Sequence, residues 1–255
     1  MRHLKDIRVL VMGGTRDGVE ISKRLREIGF FTVTTTKTDY GSKLAEKYSD
    51  IVISREDTDK TLKDIVGEYN ISLIIDATHP FAVKASQRAI EVSRECNIPY
   101  IRYERPRKRY RDVIYVRDFQ EASKKALEIG EKNILYLGGI KNLKTVVDIV
   151  GEEKLIARVL PTSVPQALKL LPPKHVIGME GVFSKDLNKC ILLDYNCDIL
   201  ITKDSGDRGG LNEKVLGARE AGAKVIVVER PKLEYPLLFH SIQDLLKYVK
   251  QFCIK

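Results

Sequence analysis

The feature that most narrows the fold is a switch that recurs along the chain. Residues 7–12 read IRVLVM, an unbroken apolar run apart from Arg8; GGTRDG follows at 13–18, and then a stretch with helical periodicity. The same order of apolar run, polar or glycine-rich turn and amphipathic stretch returns many times. Strands are predicted over 7–12, 31–35, 51–54, 73–75, 100–103, 134–137, 156–160, 176–177, 199–201 and 225–228. Helices are predicted over 18–28, 59–68, 82–96, 119–129, 142–149, 164–171, 212–221 and 241–251. Strands that alternate with helices in this way form a mostly parallel sheet covered by helices.

The alternation breaks at 102–111, RYERPRKRYR, which is basic, contains Pro106 and has no apolar period. A chain of 255 residues is long for one domain of about 150 residues. The break is therefore the expected crossing between a first domain, 1–106, and a second, 107–255. The expected architecture is α/β, with two Rossmann-like domains, mostly parallel sheets and a cleft between them. Ligands in such sheets lie beyond the carboxyl ends of the strands, so the loops that follow strands are the places to search.

Composition limits the partners. The net charge of +9 favours an anion: nucleic acid, a membrane surface, a nucleotide or a polycarboxylate. The basic stretch is short and no RNA-reading aromatic motif occurs, which argues against nucleic acid. The four cysteines, Cys96, Cys190, Cys197 and Cys253, have no C-x-x-C spacing and no histidines clustered with them. Neither a metal site nor a disulfide framework is expected. The first apolar run is too short for a signal peptide or membrane span, so a cytoplasmic protein is expected.

Five loops carry candidate chemistry. In the first, Gly13, Gly14, Thr15 and Gly18 can bring a backbone close to phosphate at the start of a helix. A tight turn needs only one glycine, and Val19 and Glu20 stand where a Walker A loop has lysine and serine or threonine. In the second, Thr36 and Lys37 occupy the place where an NAD-preferring site holds an acidic residue, which favours NADPH, with NADH as the alternative; Asp39 is near. In the third, DATHPFA at 76–82, Thr78 is a cofactor candidate and His79 a catalytic one. Asp76 or Thr78 can equally cap the next helix.

The remaining two lie in the second half. Gly138 and Gly139 follow one strand, and Arg158 is a charge inside an otherwise apolar strand that needs a partner or an open site. The richest loop is KDSGDRGG at 203–210, with Lys203 and Ser205 as catalytic candidates and Gly206 as a cofactor contact. Asp204 and Asp207 can instead pair with Lys203 or Arg208 and make this a surface loop. No tyrosine precedes a lysine by four residues and no G-x-S-x-G elbow occurs, which disfavours short-chain dehydrogenases and esterases.

Taken in order, GGTRDG at 13–18, DATHPFA at 76–82, RYERP at 102–106, ARVLP at 157–161, KDSGDRGG at 203–210 leading to Lys214, and VIVVERP at 225–231 resemble the precorrin-6A reductase family of cobalamin biosynthesis. Two positions depart from the family's habit: Asp17, where glutamate is common, and Val182, where Gly-Pro-Phe is common. The resemblance implies hydride transfer from NAD(P)H to one double bond of (cobalt-)precorrin-6A, giving (cobalt-)precorrin-6B. The substrate is then a polycarboxylate tetrapyrrole, for which Arg102, Arg105, Arg158, Gly138 and Gly139 are candidate contacts, and the protein a monomer or homodimer without membrane or nucleic-acid partners. Two other readings of the same loops are an S-adenosylmethionine-dependent tetrapyrrole methyltransferase and a non-catalytic nucleotide-sensing module.

Overall fold

The computed structural model describes residues 4–13, 15–36, 39–54, 58–206 and 209–254. The chain divides into two units, Met1–Pro106 with Lys232–Lys255, and Arg107–Pro231. The first unit runs β1 (Arg8–Met12), α1 (Arg16–Ile28), β2 (Phe31–Thr36), α2 (Asp39–Glu46), β3 (Ile51–Ser54), α3 (Leu62–Glu68), β4 (Leu73–Asp76), α4 (Val83–Glu95) and β5 (Tyr100–Tyr103). The second holds β6 (Val113–Val116), α5 (Phe119–Ile129), β7 (Asn133–Tyr136), α6 (Leu143–Val150), β8 (Leu155–Val159), α7 (Val164–Ala167), β9 (Val176–Gly178), α8 (Lys185–Asp194), β10 (Cys197–Lys203), α9 (Leu211–Glu220) and β11 (Lys224–Val228). The chain then returns to the first unit with β12 (Leu238–Phe239) and α10 (Ile242–Ile254).

The expected second domain, 107–255, is thus corrected. β12 pairs with β5, placing Leu238 beside Arg102 and Phe239 beside Tyr103. Leu245 and Val249 of α10 are fully buried against Val9, Val11, Ile21 and Leu25. Burying two such side chains stabilises the first unit by about 3–6 kcal/mol, which fixes where the tail belongs.

Each unit contains one six-stranded sheet, and all the strand pairings among the described residues are parallel. The first is ordered β3-β2-β1-β4-β5-β12. This is the doubly wound order, which reverses direction between β1 and β4. The alternation along β1 explains the two layers of helices: Val9 and Val11 face α1 and α10, while Leu10 and Met12 face α3 and α4. The second sheet is ordered β9-β8-β7-β10-β11-β6 and reverses between β7 and β10. Its sixth strand comes from before the winding, whereas the first unit takes its sixth from after it.

Four elements were not expected, α2, β6, α8 and β12, and α7 ends early. α8 starts at Ser184, whose hydroxyl accepts the Leu187 N–H at 3.2 Å, and buries Ile191 and Leu192. α7 covers four residues rather than the eight predicted over 164–171, and Pro172 follows. Among the described residues no helix is long and apolar enough to cross a membrane.

Candidate functional site

The two points where strand order reverses collect most of the candidate residues, one set in each unit. In the first unit the loops after β1 and β4 are tied together. Gly13 N–H donates to Thr35 O at 2.7 Å. The Thr15 hydroxyl accepts from Gly18 N–H at 3.1 Å and donates to Ala77 O at 3.0 Å. Thr15 is therefore the N-cap of α1 and a bridge between loops, and its hydroxyl hydrogen is already committed. The glycine at 18 has a steric cause: a β-carbon there would lie 2.8 Å from the Gly13 α-carbon. The backbone of this turn is thereby packed down close to the start of a thirteen-residue helix, which is the arrangement that suits phosphate. Gly14 lies outside the described residues.

The loop after β4 is organised by Asp76, which is fully buried. Its Oδ1 accepts Thr78 N–H at 2.9 Å, the Thr78 hydroxyl at 2.6 Å and Arg102 Nη1 at 2.8 Å, while Oδ2 accepts the Tyr100 hydroxyl at 2.7 Å. Burial pushes the Asp76 carboxyl up, but the Arg102 charge and the hydrogen bonds from Ser86 and Thr78 outweigh it and hold it below its ordinary value. Neither Asp76 nor Thr78 caps α4, which begins at Ala82 with no side-chain cap. The Thr78 hydroxyl, expected as a cofactor contact, donates to Asp76 and accepts from Arg102 Nη1 at 3.2 Å.

Arg102, expected as a substrate contact, is engaged inside the protein. It is wholly buried on β5, paired with Asp76, with its guanidinium 5.3 Å from the Tyr235 ring centre. A charge held there is a structural partner for the buried carboxylate. Among the described residues its Nε and Nη2 have no hydrogen-bond partner. Arg105 is ion-paired to the buried Asp17 of the first turn of α1. Thr36, buried at the end of β2, shares a 2.6 Å hydrogen bond with Ser42; Lys37 lies outside the described residues. His79 is half-buried, and its Nδ1 accepts the Phe81 N–H at 3.2 Å. That leaves the proton of the neutral ring on Nε2, which can act as donor.

In the second unit, β7 ends at a turn that only glycine fits. A β-carbon at Gly138 would lie 2.4 Å from Phe119 Cε1 and 2.5 Å from the Tyr136 hydroxyl, which itself donates to Gly139 O at 2.7 Å. Gly139 has φ +82, and a β-carbon there would lie 3.7 Å from Lys203 Nζ. The ammonium at the end of β10 therefore reaches across to the backbone at the end of β7. Burial and the neighbouring Lys141 charge lower the pKa of Lys203.

The loop after Lys203 is fastened by its own polar groups. Asp204 is buried and paired with Arg230 at 3.1 Å, not with Lys203. Gly206 N–H points to Asp204 Oδ1 at 3.2 Å, and the Ser205 hydroxyl donates to Gly209 O at 3.1 Å. Gly206, expected as a cofactor contact, and Ser205, expected as a catalytic hydroxyl, both help to hold the turn in shape. Asp207 and Arg208 lie outside the described residues.

Arg158 sits near the end of β8, with Nη1 donating to Asn188 Oδ1 at 3.1 Å and its guanidinium 4.7 Å from the Phe183 ring centre. Burial lowers it to about 10. Lys214, in the first helical turns after Gly209-Gly210, was not among the expected site residues. Its ammonium donates to Gly209 O at 3.3 Å. Burial and the charges of Arg158 and Lys203 lower it to about 8, against a smaller upward pull from Glu213. The signal was available in the sequence, because a lysine just inside a helix that follows a glycine turn is placed to meet an anion.

Three comparisons with known proteins bear on this arrangement. The model of the family described as "Precorrin-6x reductase CbiJ/CobK" matches residues 8–250. A cobalt-precorrin-6A reductase of Methanocaldococcus jannaschii is 53% identical over 244 residues, covering 94% of this chain and 97% of that protein. The cobalt-precorrin-6A reductase of Methanothermobacter thermautotrophicus is 39% identical over 97% of this chain and 85% of its own. Among solved structures, one described as "CobK precorrin-6A reductase" superposes with a TM-score of 0.77, at 21% identity and with 96% of each chain covered. At that identity the last likeness concerns the fold.

Proposed function

Because the chain belongs to the precorrin-6x reductase CbiJ/CobK family, we propose that it reduces one macrocycle double bond of cobalt-precorrin-6A at the expense of a reduced nicotinamide. The observation that carries this reading is kinship along the chain: 53% identity with the Methanocaldococcus relative over 97% of its length. The same finding removes the support for the methyltransferase and the sensing module, since a reductase family spans both units.

The residues agree with the chemistry. A nicotinamide nucleotide suits the first unit, where the close-packed Gly13–Gly18 turn opens α1. When bound it supplies a hydride. β2 ends in Thr36, hydrogen-bonded to a serine, where a carboxylate would favour NADH, which supports NADPH. In the second unit, Lys203 and Arg158 present cations at the carboxyl edge of the sheet to a substrate rich in carboxylates. Lys203, with its pKa lowered, is an ammonium able to give a proton to the ring atom beside the reduced carbon. His79, through Nε2–H, is the other donor.

The test is anaerobic nicotinamide oxidation with cobalt-precorrin-6A or its metal-free form, under NADPH and NADH in turn. The expected result is turnover with the cobalt macrocycle and NADPH. Folded protein that binds nicotinamide but oxidises it with neither macrocycle would refute the reading.

A further inference from the structure

One face of the first sheet ends in charge. Ile74 of β4 is paired with Tyr100 of β5, and two residues further on Asp76 is paired with Arg102. Side chains two apart share a face, so the ion pair continues the apolar layer in which Ile74 and Tyr100 lie with Ala89 and Ile90 of α4. An aromatic ring covers the pair at this end: the Tyr235 ring centre is 5.3 Å from the Arg102 guanidinium carbon.

Tyr235 belongs to the segment that returns to the first unit. Leu233, Tyr235, Leu237 and Phe239 are half-buried, and the residues between them are exposed. Leu233 and Tyr235 pack on the layer of Ile74 and Tyr100, whereas Leu237 and Phe239 pack on that of Val9 and Val11. Two backbone bonds tie the segment to β5, from Arg102 N–H to Leu237 O at 2.8 Å and from Glu104 N–H to Phe239 O at 2.9 Å. Pro236 holds the residue before it in extended backbone, so the placing of the ring is set from both sides.

An aromatic face attracts a guanidinium and sheds water. Arg102 Nη1 reaches Asp76 Oδ1 and the Thr78 hydroxyl, while Nε and Nη2 have no hydrogen-bond partner among the described residues. Without the ring, water would reach those two nitrogens and weaken the hold of Arg102 on Asp76. Asp76 in turn holds the amide and the hydroxyl of Thr78. The next residues form a turn, in which Ala82 N–H donates to His79 O at 2.8 Å and Phe81 N–H to His79 Nδ1 at 3.2 Å. Contacts therefore run without a break from the Tyr235 ring to the His79 imidazole.

We propose that Tyr235 is a positioning residue: its ring, acting through Arg102 and Asp76, fixes Thr78 and the turn that presents His79. The use of His79 in the reaction rests on the reductase reading, whereas the positioning is a property of the fold.

The experiment compares amide hydrogen exchange by NMR in the full chain, wild type, Tyr235→Leu, Tyr235→Phe and Leu233→Ala. Ala77 is the internal reference, because its N–H donates to Met12 O at 3.0 Å. Tyr235→Leu keeps apolar bulk and loses the ring, and should speed exchange at Thr78 and Phe81 at least about tenfold relative to Ala77. Tyr235→Phe keeps the ring and should stay within about twofold of wild type. Leu233→Ala loosens the same segment but leaves the ring, and should keep the rate of Thr78 relative to Ala77 within about twofold. Equal acceleration of all three amides in Tyr235→Leu, or the same selective loss in Tyr235→Phe or Leu233→Ala, would overturn the proposal. The wild type gives a second test that stands even where Tyr235→Leu does not fold. Its Arg102 Nε–H, identified by a nuclear Overhauser contact with the ring, should exchange at least about a hundredfold more slowly than that of exposed Arg117, and an equal rate would refute the seal. With cobalt-precorrin-6A and NADPH, Tyr235→Leu should lower kcat at least about fivefold with KM within about twofold, and Tyr235→Phe should restore it. An unchanged kcat in Tyr235→Leu would remove Tyr235 from the reaction. Wild type that oxidises no nicotinamide with either macrocycle would sink the reductase reading, while the exchange rates would still decide the positioning.

Discussion

Replacing Asp76 by asparagine should unfold the first unit more readily than any surface change, because it strands Arg102. The carboxylate receives two hydrogen bonds from Thr78, one from Tyr100 and the Arg102 ion pair, all within 2.6–2.9 Å, and both charges are fully buried. Asparagine keeps one acceptor, but turns an N–H donor toward groups that are themselves donors. Arg102 already has two nitrogens without partners, so nothing compensates its charge. Removing one member of a buried pair costs about 3–5 kcal/mol. For a unit of this size one kcal/mol corresponds to about 4 °C, so Tm of this unit should fall by roughly 12–20 °C at pH 7. Hydrogen exchange reads the first unit alone: the amides of β4 and β5 should exchange about a hundred- to several-thousand-fold faster, while those of β7 and β10 stay unchanged.

The pH dependence has a definite sign. Asp76 is held below its ordinary value in the folded protein. Its stabilisation is therefore complete above the unfolded carboxylate pKa of about 3.9 and is lost as pH falls through the lower folded value. Asp76→Asn should lack that part of the acid transition. The double variant Asp76→Leu with Arg102→Met, which removes both charges, should recover most of the loss. If Asp76→Asn cost less than about 1 kcal/mol, or the double variant were as unstable as the single, the pair would not be the buried anchor described.

Three further outcomes are expected. Gly18→Ala pushes a β-carbon to within 2.8 Å of the Gly13 α-carbon, so it should cost about 1–3 kcal/mol and weaken nucleotide binding, checked by melting and fluorescence titration. Lys214→Met should make the unliganded protein more stable, by roughly 1–3 kcal/mol at pH 7. A lysine lowered to about 8 in the fold favours unfolding below that pH, so wild-type stability rises from pH 8 to 10, and the methionine variant should lose this rise in denaturant titrations. Lys203→Ala should lower kcat at least tenfold if the ammonium donates the proton; full turnover with unchanged KM would remove Lys203 from the site.

The strands of both sheet centres were legible because parallel strands buried on both faces are nearly unbroken apolar runs, as in Val9–Met12 and Ile199–Ile201. Elements whose apolar signal is thin were not. β12 is two residues long, and α8 interleaves Lys185, Asp186, Asn188 and Lys189 with its buried positions. At the sites, the local engagement of individual polar groups was not legible. Arg102 reads as part of a basic linker, yet a residue on β5 directly beside Asp76 on β4 must lie in the sheet interior. Ser205, Gly206, Thr15 and Thr78 are polar residues in the expected loops, and a local hydrogen bond occupies each. Which polar groups are spent locally depends on distances of an ångström, which spacing along the chain does not encode.

The return of residues 232–255 to the first unit makes the second unit an insertion, and that governs how the protein emerges from a ribosome. The inserted unit leaves the exit tunnel whole and can fold as soon as its last strand appears. The earlier one cannot: the apolar side of its first strand and first helix is waiting for Leu245 and Val249, which are translated after the whole inserted unit. At bacterial-type elongation rates that wait is on the order of ten seconds, with Ile7, Val9, Val11, Ile21 and Leu25 uncovered. The nascent chain thus keeps the apolar face of its first strand and helix uncovered until the segment that follows the inserted unit has been made.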